Sequence, residues 1–118
     1  DAVIYLEEQS SPNTLNVFEM RTAVFQVQQW LTDVSATGFE DGFDEAETWA
    51  QSYYKNSKEL KENLAKVGNK EQLNKIIMTD NSFEEFYSFG KRMTNIYLNE
   101  GQEVGNEYML NLMFILIM

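Results

Sequence analysis

The sequence predicts an all-α protein, an antiparallel four-helix-bundle-like domain with up-down-up-down topology. Three observations predict it. Two long apolar series recur at alternating steps of three and four residues, the single proline stands ahead of the first series, and glycines fall between the periodic segments. No segment carries a sustained period-two alternation. Short connections between long helices favour antiparallel neighbours, and sustained 3-4 spacing favours shallow left-handed crossings.

Residues 1–14, DAVIYLEEQSSPNT, form an irregular N-terminal segment that reads equally as a short strand or a helical turn. The first helix follows, with Val17, Met20, Val24, Val27, Leu31 and Val34 on one seam that Phe18, Phe25 and Trp30 widen. Residues 35–42 (SATGFEDG) hold two glycines and read as a loop, with Asp41 placed to cap the next helix. That second helix carries Phe43, Ala46, Ala50, Tyr53, Ser57, Leu60, Leu64 and Val67, and should end at Gly68 in a left-handed conformation. Residues 69–78 read as a short helical turn through Leu73, Ile76 and Ile77. Ser82 and Glu85 then form an S-x-x-E capping box opening a third helix marked by Phe83, Phe86, Phe89, Met93, Ile96 and Tyr97, ending near Gly101. A fourth segment runs from about Gln102 to Met118 through Val104 and Tyr108. Its end, residues 109–118 (MLNLMFILIM), is uniformly apolar and reads as a buried helix, the approach to a membrane span, or the edge of an excised piece.

With 118 residues, 43% of them hydrophobic, the chain has material for one domain, 1–118, with one core. It begins at Asp1 rather than methionine, which suggests a processed or excised piece. No apolar run reaches the roughly 18 residues that span a bilayer. There is no cysteine and no histidine. Disulfides, zinc sites with Cys or His ligands, covalent haem attachment and Cys or Ser/His/Asp nucleophiles are thereby excluded, and no cofactor is expected. No spacing singles out a carboxylate pair among the acids, so the chain is read as not an enzyme.

The net charge of −10 argues against nucleic acid. Residues 1–54 hold ten acids against one base, Arg21, whereas residues 55–75 hold six lysines against Glu59, Glu62 and Glu71. One part of the folded module should therefore be locally positive on a negative body.

The phrase VQQWLTDVSATGFEDGFDEAETWAQSYY, residues 27–54, resembles a segment of the extracytoplasmic sensor regions of bacterial methyl-accepting chemotaxis proteins. Residues 83–109, FEEFYSFGKRMTNIYLNEGQEVGNEYM, resemble the later part of such a region, and together the two cover roughly half the chain. The resemblance implies a periplasmic ligand-binding domain between membrane-spanning helices that lie outside this chain, usually a homodimer. It implies that a small-molecule ligand shifts a helix and so passes a signal across the inner membrane to cytoplasmic signalling. The C-x-x-C-H haem motif of some chemoreceptor sensor domains is absent, so that route to gas or redox sensing has no support here. A constitutive helical dimerisation or interaction module without a small ligand is the rival reading.

Within that frame, the loop 35–42 and the turn near Gly101 lie at the membrane-distal end and residues 68–82 at the proximal end, with lysines facing anionic lipid. Gln29, Thr32, Asp33 and Thr37 on the distal half become the expected ligand contacts, with Arg21, able to hold a carboxylate, a more proximal candidate. Trp30 and Trp49 read as core, and the six methionines as an adaptable interior. The acids Glu40, Asp41, Asp44, Glu45 and Glu47 do not follow the spacing of a calcium loop, and read as a solvated loop with helix capping rather than a metal site.

Overall fold

A computed structural model describes residues 11–117, with side chains through Asn111. The described residues are almost entirely helical, with no strand: α1 (Pro12–Thr37), α2 (Asp41–Lys66), α3 (Lys70–Glu100) and α4 (Gln102–Ile117). This is the all-α, bundle-like architecture that the 3-4 spacing predicts. Its up-and-down course is fixed by pairings at both ends. Asn63 near the end of α2 donates to Asn13 at the start of α1 (3.2 Å), and Ser35 near the end of α1 meets Thr94 near the end of α3 (3.3 Å). The molecule measures 54 × 33 × 25 Å along its principal axes.

Helix α1 starts earlier and ends later than the sequence suggests. Ser11 is its N-cap, accepting from the Thr14 backbone N–H at 3.2 Å, with Pro12 in the first turn where its missing donor costs nothing. Residues 12–14 are thus helical, and the rest of the N-terminal segment, strand or turn, lies outside the described residues. At the other end the expected loop shrinks to residues 38–40. Ser35 and Thr37 return their hydroxyls to the carbonyls of Leu31 and Asp33, and Gly38, at φ 77°, closes the helix with its N–H on Val34. Asp41 is not the cap of α2. Glu40 precedes the helix without a side-chain cap bond, and Asp41 and Asp44 sit in the first turn, where their charge opposes the helix dipole favourably.

The core face of α1 is rotated from the expected seam. Asn16, Met20, Ala23, Val27, Leu31 and Val34 are buried, Val24 is half-buried and Val17 is exposed. Phe18 and Phe25 do not widen the core, being 63% and 58% exposed. Ala23 explains the rotation: with Ala46 and Ala50 of α2 it is completely buried, and these small side chains let the two helices approach closely. The α2 series holds as written from Ala46 to Leu64. Val67, just past the helix, is exposed.

Helix α3 is continuous, which corrects the expected break before Ser82. Asn69 caps it, accepting from Gln72 N–H at 3.2 Å, and Ser82 and Glu85 are exposed residues in its middle. The S-x-x-E pattern signals a start only where the preceding residues are not helical, and here Leu73 and Ile76 already pack against the core. Trp30 and Trp49 also pack there, as their spacing predicts.

Helices α1, α2 and α3 pack mutually, whereas the backbone of α4 approaches that of α3 alone. The fourth helix therefore closes only one side of the bundle. No helix among the described residues is long and apolar enough to cross a membrane.

Candidate functional site

Because α4 leans on α3 without reaching the backbone of α1, a groove of about 430 Å³ opens between the three, a volume in the range of small-molecule sites. Its wall from α1 presents Gln28, Thr32, Ser35 and Ala36, residues recurring on one helical face. The wall from α3 is apolar, with Phe86, Phe89, Met93 and the Tyr97 ring. Helix α4 contributes Gln102, Asn106 and Met109.

The floor is where α1 and α3 cross. A Cβ on Gly90 would lie 2.8 Å from Leu31 Cδ1, so glycine permits the approach. Thr94, 2% exposed, donates its hydroxyl towards the carbonyl of Gly90 (2.9 Å) and stands 3.3 Å from that of Leu31, while Ser35 bonds the Leu31 carbonyl at 3.0 Å. These two hydroxyls are occupied. By contrast, the side chains of Gln28, Thr32 and Gln102 carry no hydrogen bond among the described residues, and Tyr97 donates to Asn106 Oδ1 (2.7 Å), leaving the Asn106 amide N–H groups available.

Two other concavities are chemically distinct. Near the opposite end, Arg21 borders a hollow with Asn13, Gln72, Leu60, Leu64 and Ile76. Between α2 and α3, Tyr54, Lys61, Asp80 and Glu84 line a shallow polar surface above an aromatic layer. There Asp80 accepts from Tyr53 (2.9 Å), Ser57 (2.6 Å) and Lys61 (2.7 Å), and Tyr53 stacks on Phe83 with ring centroids 3.9 Å apart. Tyr54 donates to Glu84 at 2.9 Å, and Tyr87 to Glu47, while Lys91 lies over the Tyr87 ring. Burial, followed by the carboxylate each hydroxyl serves, pushes Tyr53 and Tyr87 far above the ordinary tyrosine value and Tyr54 up to about 12. Glu47 is held below the ordinary carboxylate value, first by the Tyr87 bond and then by Gln51. The layer therefore locks α2 to α3 with neutral tyrosines.

Of the five residues expected to contact a ligand, only Thr32 lines the α1–α3–α4 groove. Gln29 and Asp33 are exposed on α1 outside it, and Thr37 is occupied in ending the helix, bonding the Asp33 carbonyl at 2.8 Å and receiving Phe39 N–H at 3.2 Å. Arg21 lies in the separate hollow and makes no ion pair among the described residues. Sequence reasoning missed the α3 and α4 walls. The spacing of Phe86, Phe89, Met93 and Tyr97 marks a helix without saying what its face meets, and only the stand-off of α4 turns that face into a groove. The described residues contain no group of three or more acidic side chains placed to hold a metal ion.

No protein-family model, no curated protein and no solved structure matches the chain.

Proposed function

We propose that the chain is an extracytoplasmic sensing domain of the chemoreceptor type, and not an enzyme, with a small solute held in the α1–α3–α4 groove. The observation that carries this reading is the placement of α4, whose backbone approaches that of α3 alone among the described residues. A solute touching Gln28 or Thr32 on one side and Gln102 or Asn106 on the other bridges a gap that no backbone packing spans. Its binding energy then favours one position of α4 over another, and each tenfold difference in affinity between the two positions supplies about 1.4 kcal/mol to the shift. Movement of a terminal helix against α1 is the form of output a receptor flanked by membrane helices needs. The phrase at residues 27–54 supports the same reading, as do the lysines concentrated near the Gly68 end, suited to an anionic inner-membrane surface.

Thermal-shift screening against amino acids, organic acids, amines, inorganic ions and uncharged aromatic solutes tests it, because a ligand selective for the folded form raises the melting temperature. The reading expects at least one class to respond, with the response lost when Ala36→Trp fills the groove. A second reading, a constitutive homodimerisation module, is favoured by one observation. Leu15, Phe18 and Phe25 are exposed on α1, with Phe18 at the rim of the Arg21 hollow. Silence across the whole panel combined with tight self-association would select it.

A further inference from the structure

Resting on that sensor reading, we infer that the groove takes an uncharged, ring-bearing solute with one hydrogen-bonding edge.

Charge gives the first constraint. The chain carries 28 ionisable acids and bases of Asp, Glu, Lys and Arg type, 19 and 9, yet none of their side chains lines this groove among the described residues. The other two concavities each include at least one: Arg21 in one, Lys61 with Asp80, Glu84 and Glu85 in the other. On α4 the sequence after Glu107 contains no charged side chain at all. An ionic ligand in the groove would lose hydration without meeting a counter-charge, a penalty that neutral amides and hydroxyls only partly offset.

Shape gives the second constraint. Phe86, Phe89 and Met93 line the groove from α3, and the Tyr97 ring is fixed by its bond to Asn106 and by Gly105 against its face. Flat apolar walls with thioethers at their edge suit an aromatic ring. The Thr94 and Tyr97 hydroxyls on α3 are already bonded, and the unpaired polar groups lie on α1 and α4, at Gln28, Thr32 and the Asn106 amide. The solute therefore lays its apolar face on α3 and turns its single polar edge to the two helices whose separation it sets.

The test uses four probes of one shape: benzyl alcohol and benzamide, and their charged counterparts benzoate and benzylammonium, titrated by ligand-detected NMR. The wild type is expected to bind the neutral pair at least about tenfold more tightly than the charged pair. Thr32→Lys should shift preference towards benzoate by a similar factor, and Ala36→Trp should abolish binding of all four, with circular dichroism confirming that both variants are folded. Neutral binding that survives Ala36→Trp places the site elsewhere and overturns the inference. Absence of binding by either neutral probe overturns it as well. Tighter binding of benzoate or benzylammonium, abolished by Ala36→Trp, overturns the uncharged-ligand inference while leaving the groove as the sensing site.

Discussion

Gly105 of α4 lies against the face of the Tyr97 ring of α3, and a Cβ at Gly105 would stand 2.6 Å from ring atoms Cδ1 and Cε1. This contact and the Tyr97–Asn106 bond tie α4 to α3, the one helix whose backbone α4 approaches among the described residues. By propensity alone, Gly105→Ala should stabilise the helix by about 1 kcal/mol. The collision reverses that sign locally: either the ring turns and loses Asn106, or α4 moves away. The expected outcome is amide exchange in residues 102–110 at least about tenfold faster, with α1 and α2 unchanged. Uniform protection across the chain would show that Tyr97 yields without cost.

Asp80 anchors α2 to α3 by accepting from Tyr53, Ser57 and Lys61, and the first two residues are each only 1% exposed. Asp80→Ala leaves two buried hydroxyls without their acceptor, at a cost of roughly 2–4 kcal/mol. Lys61, whose side chain is 34% exposed, contributes far less, so Lys61→Met should cost under about 1 kcal/mol. Denaturant unfolding of both variants checks the order. Equal costs would mean that the ion pair, not the hydroxyl pair, holds the joint.

Stability should fall at both extremes of pH through the same aromatic layer. Glu47 has its folded value depressed, so its contribution is complete above the ordinary 4.5 and disappears as pH falls through the lower folded value. Tyr54 has its folded value raised from 10.0 to about 12, so its contribution is complete below 10 and is lost as pH rises towards 12. Tyr53 and Tyr87 reinforce the alkaline limb, both being raised by burial first. Melting temperatures between pH 3 and 12 should form a plateau whose acid limb flattens in Glu47→Gln and whose alkaline limb flattens in Tyr54→Phe. An unchanged alkaline limb in Tyr54→Phe would assign the loss to the other two tyrosines.

The helices were legible in the sequence wherever a series of apolar side chains is buried against two neighbours at once. In α2, Ala46 through Leu64 needed no correction, because that face meets α1 and α3 along its length. In α1 the same kind of series misled by a fraction of a turn. Period alone does not distinguish Val24 from Ala23, and the close approach of α2 selects the smaller residue. Ser82 misled for a different reason: a cap pattern is local, and the continuity of α3 comes from Leu73 and Ile76 packing a turn or more upstream. The groove was legible at Thr32 alone. Its remaining walls depend on how far α4 stands from α1, a tertiary distance that no spacing within one helix encodes.

Self-association should use a surface other than the one the first seam suggests. Met20, Val27, Leu31 and Val34 are consumed inside the chain, so that seam is not free for a second copy. On the opposite side of α1, Leu15, Phe18 and Phe25 are 52%, 63% and 58% exposed and follow a 3-4-3 progression through the half-buried Thr22. That progression keeps them in one stripe along the helix, the arrangement two parallel or antiparallel copies need to interdigitate. The stripe continues on the same face through Thr32 and Ala36, seven and eleven residues beyond Phe25, so such a pairing would abut the α1 lip of the α1–α3–α4 groove. Sedimentation equilibrium of the wild type should show a reversible dimer at high concentration. Phe18→Asp with Phe25→Asp should be monomeric throughout, with a melting temperature at low concentration close to that of the wild type because neither ring belongs to the core. Identical sedimentation of the two proteins would place any dimer contact off this stripe.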